Sequence, residues 1–187
     1  ACVEQFGSEY EHLDSLAGLA TKEVATKICV AKAGSDREFQ NLINSKIHHM
    51  IHTENCVELI AGARKLVSTL QHSKTAHAIT SNAARDFINK HLAHHKLSFE
   101  LIVAREDPKR LKPHPDPYIL CAEKLKFHPD QFQQICLLED SVHGIKAGVD
   151  AGMQVVGVRS SHDHKTLCDA GAIDSVADLA EFQQKFI

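Results

Sequence analysis

Ile135-Cys136-Leu137-Leu138-Glu139-Asp140-Ser141 is the stretch whose reading decides the fold. The apolar residues 135–138 run without alternation, the pattern of a strand buried on both faces, as in a parallel sheet. Two adjacent carboxylates end the run. A helix over 144–151, stopped by Gly152, follows at once. Two acids at the end of an apolar strand are costly unless a cation or hydrogen-bond donors compensate them. In an open parallel sheet, functional groups collect at the carboxyl ends of the strands, where these acids lie.

Outward from this stretch, strands and helices alternate. Helices are predicted over 64–70, 82–92, 116–126 and around 177–186, and strands over 76–79, 101–104 and 155–158. Pro115 and Pro117 mark the start of the 116–126 helix. The fold class is therefore α/β, with a Rossmann-like parallel sheet and helices on both faces, over residues 63–187. Residues 1–62 read as helix throughout. Thr21 caps a helix carrying Val24, Ile28 and Ala31 that ends near Gly34. Ser35-Asp36-Arg37-Glu38 is a capping box. After it, Phe39, Leu42, Ile43, Ile47, Met50 and Ile51 form one apolar stripe.

Composition removes several classes of function. The net charge of −3 offers no basic surface for nucleic acid, and a chain without Trp offers little for stacking on bases. No apolar run approaches the about 20 residues needed to cross a bilayer. Glu4, Gln5 and Glu9 interrupt the first apolar residues, so no signal peptide is read and a cytoplasmic location is expected. The six cysteines form no CxxC and no close pair, which argues against a zinc ribbon or a redox pair. Cys121 and Cys136 lie in apolar stretches and read as buried, reduced thiols. Among the fourteen histidines, His48, His49 and His52 have helical metal spacing but no acidic companion. His94, His95, His162 and His164 read as solvated surface.

Three further features belong to carboxyl ends of strands. Thr80-Ser81-Asn82 follows one strand and precedes a helix, where hydroxyls and backbone amides suit a phosphate; the same residues are also ordinary N-caps. Lys112-Pro113-His114-Pro115-Asp116-Pro117 fixes a lysine between rigid residues, ready for an anion or simply a rigid surface turn. Glu139 and Asp140 are hard oxygen ligands suited to Mg²⁺, or else a solvent-facing Glu and a capping Asp.

Taken together, the three resemble motifs II, III and IV of the haloacid dehalogenase superfamily. The matching stretches are Ala78–Asn82, Lys112–Tyr118, and Leu138–Ser141 continued through Gly144 and Ala151-Gly152-Met153. The helical first part is similar to the small α-helical cap of the β-phosphoglucomutase and sugar-phosphatase group. The resemblance implies that Thr80 binds the transferring phosphoryl group and that Lys112 steadies it. It implies that Glu139 and Asp140 hold Mg²⁺, that Ser81 and Asn82 join Thr80 and Lys112 in binding phosphate or substrate, and that Ser141 is a supporting polar group. It implies a small phosphorylated metabolite, most simply a sugar phosphate, as the partner, and a monomer is the simplest assembly.

The superfamily's nucleophile lies in a DxDx[TV] motif at the end of the first, central strand, and these 187 residues contain no Asp-x-Asp. The reading is that this strand and its motif lie upstream of residue 1, because removing a central strand leaves two neighbours with unpaired ladder groups. The chain as written is expected to be inactive. Thr21 stands where the mutases carry an arginine for a second phosphate, which favours a phosphatase over a β-phosphoglucomutase-like isomerase. A degenerate, non-catalytic phosphate-binding or interaction protein is the reading from another class.

Overall fold

The computed structural model describes residues 58–187. The helices expected before residue 58, with Thr21, the capping box and the histidines of residues 48–52, lie outside the described residues.

The strands are β1 (Ile79–Thr80), β2 (Ile102–Val103), β3 (Cys136–Glu139), β4 (Gln154–Val158) and β5 (Asp174–Val176). Every pairing among them is parallel. β1 pairs with β2, and β3, β4 and β5 form a second ladder in that order. Between and after the strands come α1 (Ala63–His72), α2 (Arg85–His94), α3 (Asp116–Lys124), α4 (Val142–Asp150), α5 (His164–Asp169) and α6 (Leu179–Phe186). A 3₁₀ helix over Pro129–Gln134 leads into β3.

Period-2 alternation along β3 and β4 sends side chains to two cores. Leu138, Val156, Val158 and Val176 pack with Leu66 of α1 and Phe182 of α6. Leu137 packs on the opposite side, against a cluster that includes Tyr118 of α3, Ala147 of α4 and Met153 of the turn before β4. Val155 joins Ile145 of α4 and Leu167 of α5 on that same side. The sheet therefore carries helices on both faces, as expected.

Three differences from the sequence reading have physical causes. First, no ladder joins β1 to β3 among the described residues. Ile79 and Ser81 turn their amides to β2, so Thr80 between them turns its own backbone groups to the other edge. Among the described residues β3 likewise has a neighbour only in β4. It is consequently less buried than a central strand: Cys136 is exposed, and Leu137 and Leu138 are half-buried.

Second, Ile60, Ala61 and Gly62 belong to the α/β unit rather than to the helical segment. Ile60 packs into the α1–α6 core, the Ala61 carbonyl accepts from Leu179, and the Gly62 carbonyl accepts from Gln183 Nε2. Gly62 sits at φ +81°, and a Cβ there would stand 2.2 Å from the Ala180 nitrogen, so a glycine is required. Third, β5 and α5 are elements that the sequence pattern did not reveal. Three residues of strand and six of helix are too short for periodicity to register. Asp163 caps α5 by accepting from the Thr166 amide, and Asp178 caps α6 through Ala180 and Glu181.

Candidate active site

Lys112 is the centre of the site. Its backbone is held by Asn82, whose amide reciprocates at 3.2 Å in both directions, Oδ1 accepting from the Lys112 N–H and Nδ2 donating to its carbonyl. The Lys112–Pro113 peptide bond is cis. The ammonium donates to the Thr80 carbonyl at the end of β1 (3.0 Å) and to Glu139 Oε1 at the end of β3 (2.5 Å). It also lies 4.5 Å from the centre of the Tyr118 ring, over its face. One lysine thus spans the carboxyl ends of the two sheets and gathers the three sequence motifs within hydrogen-bond reach.

Glu139 and Asp140 have different surroundings. The Glu139 side chain is only 9% exposed. Its Oε1 accepts from Lys112 and from the Tyr118 hydroxyl at 2.9 Å. Its Oε2 accepts from the amides of Asp140 and Ser141 and from the Ser141 hydroxyl, each at 3.0 Å. Five donors saturate the carboxylate. Burial acts to raise the Glu139 carboxyl, but the Lys112 charge and these hydrogen bonds outweigh it and hold the group below the usual range. The same burial, with the Glu139 charge beside it, pushes the Tyr118 hydroxyl well above its ordinary value, so it remains a donor.

Asp140, by contrast, is exposed; its Oδ2 accepts from Ser160 Oγ at 2.8 Å. The two acids, expected together to hold Mg²⁺, thus differ in their surroundings. Asp140 presents a carboxylate outward, while the oxygens of Glu139 are engaged with this chain's own donors. Gly144 makes this possible: a Cβ there would lie 2.0 Å from Glu139 Cδ.

Thr80 offers its backbone carbonyl to the Lys112 ammonium, and its side chain lies close to the Cys121 thiol of α3, partly offsetting the upward push that burial gives that thiol. The strand-end hydroxyl left near the loop is that of Ser81, whose Oγ accepts from the Ala83 amide (3.1 Å) and retains its own proton to donate. Neither Ser81 nor Asn82 caps the following helix, which begins at Arg85 after an Ala84 N-cap without a side-chain bond.

Ser141 is both the N-cap of α4, accepting from the Gly144 amide at 3.0 Å, and a donor to Glu139. Replacing Ser141 by alanine is expected to cost about 1–2 kcal/mol in urea unfolding, within the range for lost caps.

Two residues of the loop after β4 join the site, though the sequence singles out neither for it. Ser160 touches the Asp140 carboxylate, and the His162 ring Nδ1 lies 3.1 Å from the Asp140 carbonyl. Both follow the carboxyl end of β4, so the strand-end rule that selected the other motifs also selects them. Tyr118, part of the quoted third motif, had no role assigned because its contact with Glu139 exists only across elements. Among the described residues no group of three or more His, Cys, Asp and Glu converges as a metal cluster. None of the described helices is long and apolar enough to cross a membrane.

Comparison with known proteins identifies the family. The haloacid dehalogenase-like hydrolase family matches residues 2–158. The chain belongs to that family. It is 29% identical over 166 residues to the bifunctional riboflavin kinase/FMN phosphatase of Arabidopsis thaliana, covering 83% of this chain and 41% of that one. It is 29% identical over 143 residues to glycerol-1-phosphate phosphohydrolase 1 of Saccharomyces cerevisiae, covering 73% and 56%. The chain spans about half the length of these curated relatives. Among solved structures, a β-phosphoglucomutase from Clostridium difficile superposes with a TM-score of 0.75 at 23% identity, over 92% of this chain and 76% of that one. A hydrolase from Pseudomonas syringae gives 0.77 at 19% identity, over 92% and 80%. These two likenesses establish the fold.

Proposed function

We propose that the chain belongs to a Mg²⁺-dependent phosphatase of small phosphorylated metabolites, sugar phosphates first, working through an aspartyl-phosphate. The observation that carries this reading is Lys112, whose ammonium draws together the ends of β1 and β3. Two of its three N–H groups are engaged there, and the third remains for an anionic oxygen. Phosphoryl transfer needs positioned positive charge and donors around three oxygens, with little covalent work by the surrounding residues.

In this reading Ser81 donates its hydroxyl to the phosphoryl group, in place of Thr80. Asn82 fixes the Lys112 backbone, and Glu139 with Tyr118 fixes the ammonium. The fit to Mg²⁺ rests on Asp140, an outward carboxylate steadied by Ser160; this cation needs only one or two carboxylates when phosphate and water complete its shell. Mg²⁺ bound there supplies charge neutralisation for the phosphoryl oxygens. Glu139 acts from behind, by orienting Lys112 and the Asp140 amide.

The names of the yeast and Arabidopsis relatives support a phosphorylated small molecule as substrate. The nucleophile would come from a DxDx[TV] segment joined ahead of residue 1. The test is inorganic phosphate release from a panel of sugar phosphates by the form carrying that segment. Turnover is expected with Mg²⁺ and not in excess chelator, with a loss of at least about 100-fold for Asp140→Asn. The 187 residues alone are expected to release none. Equal turnover in chelator, or full activity of Asp140→Asn, overturns the assignment.

A further inference from the structure

The turn that follows β4 is anchored on one side to β5 and α6 and rests on the other against Asp140. The Arg159 amide donates to the Val176 carbonyl of β5, and the Ser160 amide donates to the Val158 carbonyl, each at 2.8 Å. The Arg159 guanidinium donates to the Ser175 carbonyl at 2.8 Å, to the Ser175 hydroxyl at 3.1 Å and to Glu181 of α6 at 3.2 Å. Ser175 is itself 1% exposed, so the anchor is buried. These bonds fix the backbone from which the Ser160 side chain extends.

Asp140 is held from three directions. Its amide donates to Glu139 Oε2 at 3.0 Å, and its carbonyl lies 3.1 Å from His162 Nδ1. A carbonyl only accepts, so the His162 ring carries a proton on Nδ1 and donates it there. At the carboxylate, which has no proton to give, the Ser160 hydroxyl donates its single proton to Oδ2 at 2.8 Å. Among the described residues no donor meets Oδ1. The two oxygens of an exposed carboxylate, otherwise interchangeable, are made different by one serine.

That difference bears on which cation the carboxylate suits. Mg²⁺ is small and demands near-ideal octahedral geometry, whereas the larger Ca²⁺ accepts more ligands and takes a carboxylate through one oxygen or through both. Both Asp140 oxygens can face one cation only if Oδ2 gives up or shares the Ser160 proton. On the reading of Asp140 as the Mg²⁺ carboxylate, we propose that Ser160 is a positioning residue that makes Asp140 a one-oxygen ligand and so sets the preference of the site for Mg²⁺ over Ca²⁺. Arg159 acts through Ser160 by anchoring the turn, and His162 acts through the Asp140 backbone.

The test is displacement of Mn²⁺ from the form carrying the upstream DxDx[TV] segment. The electron paramagnetic resonance signal of free Mn²⁺ is followed as Mg²⁺ or Ca²⁺ is added, and the ratio of the two half-displacement concentrations is read without any turnover. Ser160→Ala is expected to move that ratio about tenfold towards Ca²⁺, close to the lower end for one hydrogen bond to a charged group. Ser160→Thr, which keeps the hydroxyl, should retain the parent ratio. Equal weakening of both cations in Ser160→Ala, or no change in either, overturns the proposal and leaves Asp140 standing as the metal ligand. Mn²⁺ binding that is unaltered in Asp140→Asn overturns the Mg²⁺ reading itself, and the role of Ser160 with it.

Discussion

Lys112→Met is expected to destabilise the chain by about 3–5 kcal/mol at pH 7, the cost of leaving a buried charge without its partner. Its side chain and that of Glu139 are 8% and 9% exposed, so water can replace little of the lost interaction. The sign of the pH dependence separates this account from simple loss of packing. In the unaltered chain the Glu139 carboxyl lies below its usual value. Its contribution is therefore fully present above the unfolded glutamate value of about 4.3 and is lost as pH falls through the folded value.

Without Lys112, desolvation dominates and the folded carboxyl rises above the unfolded one. Stability of the variant should then fall as pH rises from about 4 towards 7, the reverse of the parent trend for this group. Urea unfolding at a series of pH values reads both slopes. The double variant Lys112→Met/Glu139→Gln should be less destabilised than the sum of its parts. Parallel pH profiles for parent and Lys112→Met would show that the ion pair is not what holds the two strand ends together.

Gly144→Ala is the second large effect, expected at about 3 kcal/mol or more, at the upper end of overpacking costs. The new methyl would overlap the Glu139 carboxylate itself, at 2.0–2.3 Å from its three terminal atoms. That carboxylate cannot yield without abandoning five hydrogen bonds and the Lys112 charge. Gly148→Ala is the control on the same helix: its Cβ meets Leu137 Cδ1 at 2.6 Å and Val155 Cγ2 at 2.7 Å, the ends of apolar side chains. Its cost should be smaller, about 1–3 kcal/mol. Denaturation midpoints of the two variants decide the order. Equal costs would mean that the Glu139 pocket relaxes as readily as an apolar contact.

Both predictions concern a lysine and a glycine already present in the quoted motifs, yet the role of each was legible to a different degree. The Lys112 string marked a cation for the site, and the strand-end rule grouped it with Thr80–Asn82 and Glu139–Asp140; of these its atoms meet Thr80, Asn82 and Glu139. Gly144 read only as a helix start, because its importance comes from a carboxylate five residues earlier folding back over it. Thr80 and Ser81 illustrate the finest limit. They are adjacent hydroxyl residues with the same chemistry, and strand alternation sends one to Cys121 and leaves the other at the loop.

The amino-acid order by itself determined the α/β alternation, the parallel sheet and the three motifs, because apolar periodicity and strand-end residues are local properties of the chain. It also showed that no Asp-x-Asp accompanies them. Tertiary structure alone decided how the polar groups divide their work. It turned Glu139 inward to Lys112 and left Asp140 outward, and it drew Ser160 and His162 to the site. The physical reason is that a hydrogen bond or ion pair depends on which atoms meet at about 3 Å, and residues 20 to 30 positions apart acquire that distance only when their elements pack.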